Sequence, residues 1–262
     1  MKIQFSKYQG AGNDFVIIDD RTQRFDRSNI RLVASLCERK FGIGADGLIL
    51  VGEKKGYDFE MIYYNADGGL SSMCGNGGRC IVDFALRHGI SKGTLTHFLA
   101  VDGPHEAIAG RGSIRLKMKD VVQIEETDEY CFLDTGSPHY VKLIEGLALY
   151  DVYHEGHHIR YSPRFRANGT NVNFIERIPG YLYVRTYERG VEDETLACGT
   201  GVTAAVLVAS LKGLCGKEGA CDVKTPGGKL KVFFKRTGEH SFTDIWLQGP
   251  AVEVYRGEVE ID

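Results

Sequence analysis

The sequence predicts an α/β (α+β) protein of two pseudo-symmetric domains. Each is a curled mixed β-sheet or barrel around a central buried helix, with the active site expected in the cleft between them. Three observations carry this expectation. Strand-like runs, β-branched and aromatic with turn residues between them, dominate the 262-residue chain. A late segment, "GTGVTAAVLVASLKG" at 199–213, is apolar on nearly every side, as a helix is when it is buried all round. The chain also repeats itself. "MCGNGGRCIVDFA" and "ACGTGVTAAVLVA" set Cys74 and Cys198 124 positions apart, and "GNDFV" at Gly12 and "GSPHYV" at Gly136 are 124 apart again. "IYYN", ending at Asn65, and "RTYE", ending at Glu188, stand 123 apart. Two copies of one α/β unit account for these offsets.

The elements follow in order. The first half reads as strands "KIQFSKY", "DFVIID", "GLILV", "DFEMIYY", "TLTHFLA" and "SIRLKM". The second half reads as "YCFLD", "HYVKLI", "NVNFIE", "YLYVRTY", "KLKVFFK" and "FTDIWLQ", and "VEVYRG" closes the chain. Three or four helices interrupt them. "SNIRLVASLCERKFG" is capped by Ser28 or Asn29 and stops before Gly42. "GNGGRCIVDFALRHG" sets Ile81, Phe84, Ala85 and Leu86 on a helical period and ends before Gly89. The halves are expected at 1–119, joined by a returning C-terminal strand at about 251–262, and at 120–250.

Composition narrows the function classes. The hydrophobic fraction is 43%, the charged fraction 26%, and the formal net charge −3 with both signs mixed along the chain, which gives no case for nucleic acid or an acidic membrane as partner. The N-terminus lacks the apolar core of a signal peptide, and no apolar run approaches the roughly 18 residues of a membrane span, so a cytoplasmic protein is expected. Seven cysteines, an odd number, without C-x-x-C spacing argue against a disulfide scaffold, a zinc ribbon or a thioredoxin-type redox site.

Two motifs read as bland. "GIGADG" at 42–47 has the glycine spacing of a dinucleotide fingerprint, but a helix precedes it and a strand follows, the reverse of what that site needs. "HEGHH" (His154, His157, His158) has the spacing of a zinc protease motif. Gly156 inside it and Pro163 soon after it indicate a surface loop, and no metal site is expected.

The two cysteine turns are different. Each cysteine directly precedes a small, glycine-rich stretch that opens a helix, where the backbone N–H groups lack internal partners and the dipole end is positive. Such an end binds anions and lowers a thiol pKa. A single instance reads as packing, whereas two at equivalent points of a duplicated fold read as chemistry. One thiol on each side of a ligand suits removal of a proton from one face of a carbon and delivery to the other. The helix ends would then hold the α-carboxylate of an amino acid.

"GNDFV", "NADGGLSSMCGNGGRC", "NGTNVNF", "YERG" and "ETLACGTG" closely resemble the diaminopimelate epimerase family along nearly the whole chain. The related proline racemases share the fold and the cysteine pair but carry histidine where this sequence has Asn76. The resemblance implies cofactor-independent interconversion of LL- and meso-diaminopimelate, for lysine and peptidoglycan synthesis. It makes Cys74 and Cys198 the acid/base thiols. Gly75, Asn76, Gly199 and Thr200 would present the helix ends to the α-carboxylate. Asn13, Asn65, Asn171 and Arg189 would hold the substrate, with Arg189 clamping the distal carboxylate. Glu188 would bind an amino group and, with His139, help set thiol protonation. Tyr255 matches a dimer contact, which implies a homodimer. No cofactor or metal is implied. Gly47 replaces a glutamine common in the family, Ser137 replaces the asparagine of an N-P-H turn, and "RGVEDETLACG" is one residue longer than usual. Two alternatives remain at this stage: a racemase of another amino acid on the same fold, and a dithiol redox or metal-binding protein.

Overall fold

The structure is a computed structural model that describes residues 2–71, 73–110, 112–216 and 219–261. Ser72, inside the first cysteine turn, and Asp262, at the end of the expected C-terminal strand, lie outside the described residues. The chain divides into two compact units, Met1–Leu116 with Gly249–Asp262, and Lys117–Gln248.

The first unit contains strands β1 (Lys2–Gly10), β2 (Asn13–Asp19), β3 (Gly47–Gly52), β4 (Phe59–Asn65), β5 (Leu95–Ala100), β6 (Gly103–Gly110) and β7 (Ser113–Lys117), with helices α1 (Ile30–Cys37) and α2 (Gly75–Arg87). The C-terminal strand, Val252–Glu260, runs antiparallel to β1 with Lys2 opposite Glu260. From it the strands follow in sequence. β1 and β2 are antiparallel, β2 and β3 parallel, β3 and β4 antiparallel, β4 and β5 parallel, and β5, β6 and β7 antiparallel. The two parallel pairs are the ones bridged by helices, as a parallel connection requires. Helix α2 touches β1, β2, β3, β6 and the C-terminal strand, so the sheet curls around it.

Alternation along β2 and β3 explains why β3, "GLILVG", is buried at every position. Val16, Ile18, Leu48 and Leu50 pack with Val33, Leu36 and Cys37 of α1 on one side of the sheet. Phe15, Ile49 and Met61 line Gly77 of α2 on the other. A strand covered on both faces reads as a continuous apolar run, and each such aliphatic contributes about 1.5–3 kcal/mol on burial.

The second unit repeats this plan. Its strands are β8 (Glu125–Glu126), β9 (Cys131–Asp134), β10 (Pro138–Leu143), β11 (Asn171–Ile178), β12 (Tyr181–Glu188), β13 (Asp193–Thr195), β14 (Gly219–Thr225), β15 (Gly228–Arg236) and β16 (Phe242–Gly249). Its helices are α3 (Val152–Arg160) and α4 (Gly199–Leu211). β9 and β10 are antiparallel, β10 and β11 parallel, β11 and β12 antiparallel, β12 and β14 parallel, and β14, β15 and β16 antiparallel. This is the pairing order of the first unit. α4 is buried along nearly its whole length and touches β9, β10, β11, β12, β14 and β15, the place α2 holds in the other half.

α1 is capped by Asn29, whose side chain accepts from the Leu32 N–H at 3.0 Å, and "GIGADG" forms the turn that leads into β3. "HEGHH" corrects the expected surface loop, because it lies within α3. Asp151 caps that helix by accepting from the His154 N–H at 3.2 Å. Gly156 is where α3 presses on Tyr187, and a Cβ there would stand 2.4 Å from the Tyr187 Cβ. Pro163 falls beyond the helix end and breaks nothing. His154, His157 and His158 are all exposed, and no group of three metal-ligating side chains forms among the described residues. Among the described residues, no helix is long and apolar enough to cross a membrane.

Candidate active site

Each central helix begins at its cysteine. Cys74 is the N-cap of α2, with φ −98° and ψ 126°. Cys198 is the N-cap of α4, with φ −106° and ψ 113°. The Cys74 carbonyl accepts from Gly78 N–H at 2.7 Å and the Cys198 carbonyl from Val202 N–H at 2.8 Å, so the two turns superpose in their bonding as well. Neither helix has a side-chain capping bond or an acidic residue in its first turn. Each turn therefore opens the positive end of a helix dipole, the kind of end that binds anions. Cys74 is half-buried, while Cys198 is only 6% exposed and places its Sγ 3.5 Å from Thr200 Oγ1.

In the first unit, polar side chains run in a line beneath the α2 terminus. Asn13 Nδ2 donates to Asp46 at 3.0 Å, Asn76 Nδ2 donates to Asn13 Oδ1 at 2.6 Å, and Arg79 Nη2 donates to Asn76 Oδ1 at 2.8 Å. Both amides are thus held by the protein. Asn65 ends β4 and is exposed. At Gly47 a side chain is excluded. A Cβ would meet Tyr63 Cε2 and the Tyr64 carbonyl oxygen, each at 2.5 Å, so the Tyr63 ring and the β4 backbone fill the space a side chain would need.

In the second unit, His139 on β10 is fully buried. Its tautomer follows from its neighbour. Asn173 Oδ1 accepts from the Thr186 hydroxyl at 3.0 Å, and Asn173 Nδ2 donates to the Tyr140 carbonyl at 3.0 Å. The nitrogen facing His139 Nδ1 at 3.1 Å is therefore a donor, so Nδ1 accepts and Nε2 carries the proton. That Nε2–H has no hydrogen-bond partner among the described residues. Burial pushes the imidazole pKa down to about 3, so His139 is a fixed neutral donor at working pH. Asn173 also reaches α4, where a Cβ on Gly201 would stand 2.3 Å from Asn173 Oδ1. Asn173 was not picked out from the sequence. The available signal was an amide set directly between two apolar residues, Val172 and Phe174.

A buried neutral histidine has a consequence for stability. Between pH 6.5 and about 3 the unfolded chain binds a proton here that the folded chain refuses, so stability falls as pH falls. The slope is about 1.4 kcal/mol per pH unit for this one group. Burial raises the Glu188 pKa against the pull of the Thr195 hydroxyl, so Glu188 acts with the opposite sign, favouring the folded state at low pH. Urea unfolding of wild type and His139→Gln from pH 7 to 4.5 separates the two. The variant is expected to show the shallower dependence, and equal slopes would rule out the neutral buried imidazole.

Arg189 follows β12. Its backbone N–H donates to Asn171 Oδ1 at 2.9 Å, and its guanidinium donates to the Asn168 carbonyl at 2.9 Å and to Ser137 Oγ at 3.4 Å. Asn171 Nδ2 also donates to Ser137 Oγ at 2.9 Å. One small hydroxyl thus ties both residues to the turn before β10. Asn171 is buried and committed to this staple, while Arg189 is exposed and forms no ion pair among the described residues. Glu188 accepts from Thr195 Oγ1 at 2.8 Å and is largely shielded from solvent. Thr135 Oγ1 donates to the Thr200 carbonyl at 2.9 Å and holds the first turn of α4 to the end of β9. Tyr255 is exposed on the C-terminal strand and packs edge-on against Phe5.

Two repeats, each a mixed sheet curled on a helix capped by a cysteine, define a recognised fold class. Solved structures of similar fold include a Bacillus anthracis phenazine biosynthesis protein of the PhzF family, at TM-score 0.80 and 14% identity with 100% of each chain covered. A probable proline racemase from Agrobacterium radiobacter gives TM-score 0.71 at 14% identity, covering 99% of this chain and 93% of that one. Sequence takes the assignment further. The chain belongs to the diaminopimelate epimerase family, which it matches over residues 5–105 and 131–259. A diaminopimelate epimerase from Flavobacterium psychrophilum is 48% identical over 252 residues, 95% of this chain and 97% of that protein. Another from Chlorobaculum tepidum is 43% identical over 263 residues, 96% of this chain and 99% of that protein.

Proposed function

We propose that the protein is an isomerase that interconverts LL- and meso-diaminopimelate by proton transfer between two thiols. The observation that carries this reading is the pair of cysteines at equivalent N-caps, Cys74 on α2 and Cys198 on α4, in a chain of this family. One cysteine, as thiolate, takes the α-proton and becomes a thiol. The electron pair left on carbon spreads into the α-carboxylate, whose oxygens accept from the first-turn N–H groups of a helix. The other cysteine, as thiol, gives its proton to the opposite face and becomes a thiolate. The reverse reaction starts from that exchanged state.

The remaining roles follow from the chemistry available at each position. Arg189 offers a fork of donors to the distal carboxylate. Glu188 takes the ammonium group, while Asn13, Asn65 and Asn171 hold or shape the substrate. His139 supplies an N–H donor instead of a titrating base. The exposed apolar side chains Val252, Val254 and Tyr255 of the C-terminal strand suit contact with a second copy of the chain, and a solution mass of two chains tests that homodimer. The setting proposed is the cytoplasm.

The deciding assay is turnover of purified protein with LL-diaminopimelate, under reductant and without added cofactor. Release of meso-diaminopimelate is expected; an inert protein with intact thiols would reject the reading. The pH profile adds a second test. Below the lower pKa of the thiol pair there is no base, and above the upper one there is no acid, so kcat/KM is expected to be bell-shaped. His139 stays neutral down to about pH 3 and cannot supply the acid limb. A flat profile across neutral and alkaline pH would contradict paired thiol catalysis.

A further inference from the structure

The largest fully buried side chain among the described residues is a cation. Arg79, on α2, has 0% exposure. Its guanidinium reaches back toward the start of its own helix, with Nη1 donating to the Gly75 carbonyl at 3.3 Å and Nη2 to Asn76 Oδ1 at 2.8 Å. Nε donates to the Pro250 carbonyl at 3.3 Å. These acceptors satisfy protons but carry no formal charge, and among the described residues Arg79 pairs with no carboxylate. A buried charge without a counter-charge is unfavourable, which calls for an anion that the resting contact pattern leaves out.

The charged and titratable groups around α2 narrow the choice. Asp83 accepts from Tyr8 of β1 and pairs with Arg87. Glu253, on the C-terminal strand, pairs with Arg256. Asp46, beyond Asn13, pairs with Arg39, as does Asp14 of β2. β3 carries no ionisable side chain, and on β6 His105 pairs with Asp102 and Glu106 with His97. Cys80 is buried, and burial pushes its thiol far above the ordinary range, so it stays neutral. That leaves Cys74 at the mouth of the helix. Burial works against the Arg79 charge, and the groups that favour it are Cys80 and Cys74.

The repeat supplies a control. The position equivalent to Arg79 in α4 is Thr203, whose hydroxyl donates to the Gly199 carbonyl at 3.0 Å. Gly199 is the counterpart of Gly75, so the same helix carbonyl is satisfied in both halves, by a cation in one and a neutral hydroxyl in the other.

We propose that Arg79 is a positioning residue that acts through Cys74 as the built-in counter-charge of its thiolate, making Cys74 the ionised thiol and Cys198 the protonated one in the resting protein. The inference rests on the two-thiol reading above. It makes the resting site one-handed, since the substrate whose α-proton faces Cys74 meets a base at once, and its epimer meets a thiol.

The test is alkylation of the full-length protein by iodoacetamide as a function of pH, followed by peptide mass mapping that scores Cys74 and Cys198 separately. In wild type, Cys74 is expected to titrate below Cys198 and below the ordinary thiol value of about 8.5. In Arg79→Met the Cys74 midpoint should rise by about one pH unit or more, slowing its alkylation at pH 7 by about tenfold, while Cys198 is unmoved. Arg79→Lys should restore most of the wild-type midpoint. An unmoved Cys74 midpoint in folded Arg79→Met overturns the proposal, as does Cys74 titrating at or above Cys198 in wild type. A raised KM with an unmoved midpoint also overturns it, by assigning the charge to the substrate carboxylate. Should Arg79→Met fail to fold, the wild-type order of midpoints and the Arg79→Lys profile decide. Epimerisation by Cys74→Ala would defeat the two-thiol reading but leave the Arg79 midpoints as measured, so the two failures are distinguishable.

Discussion

Cys74→Ala and Cys198→Ala are each expected to abolish interconversion of LL- and meso-diaminopimelate in both directions. A positioned acid or base contributes about 10²–10⁴-fold, and in the proposed two-thiol reaction each cysteine is the base in one direction and the acid in the other. Removing either one therefore stops both. Serine at either position is expected to be nearly as damaging, because a hydroxyl is too weak an acid to supply the anion without a dedicated base. Heavy water gives an independent readout. The base that removes the proton is not the group that returns one, so product from the first turnovers should carry deuterium at the α-carbon while unreacted substrate stays protiated. A single base serving both faces would return the original proton to much of the early product. Activity within about tenfold of wild type in either alanine variant would break the pairing of Cys74 with Cys198.

Arg189→Ala is the second large effect expected. The guanidinium is aimed by the Asn168 carbonyl and Ser137 Oγ and forms no ion pair among the described residues, which leaves its charge for a ligand. The Arg189 side chain is exposed in the protein alone. The desolvation that strengthens the contact therefore has to come with the substrate. Loss of a bidentate charged partner costs about 2–5 kcal/mol, so kcat/KM should fall from roughly thirtyfold to several thousandfold. Arg189→Lys should recover little, because an ammonium cannot make the two parallel bonds. A near-normal kcat/KM for Arg189→Ala would mean that another residue reads the distal end.

Most of the architecture was legible because burial on two faces leaves a strong trace. β3 is apolar at every position, and α4 is apolar on every side, so both stand out from their surroundings. What escaped notice is polar or rests on tertiary contact. β6, "GPHEAIAG", and β14, "GACDVKT", carry glycine, proline and charge, and find their place by pairing with neighbours. α3 has a glycine at its centre and histidines on its surface. It is specified by the Asp151 cap and by the fit of Gly156 on Tyr187, which no local pattern shows. The same holds at the site. The cysteines announce themselves by repetition. Asn173 and Arg79 do not, because an amide that sets a tautomer and a cation without a carboxylate look like ordinary residues until their neighbours are known.

The C-terminal strand ties the order of synthesis to the order of folding. Val252–Glu260 is a neighbour of β1, so the first half of the chain to leave a ribosome is the last to be completed. Its edge stays open while more than a hundred further residues are made, whereas the unit from Lys117 to Gln248 is continuous and has all its strands as soon as it emerges. The nascent protein is therefore expected to acquire protease resistance first in its later half. A released chain truncated before Ala251 should hold a protected second unit and a first unit that is still digestible, and supplying the final strand closes the sheet.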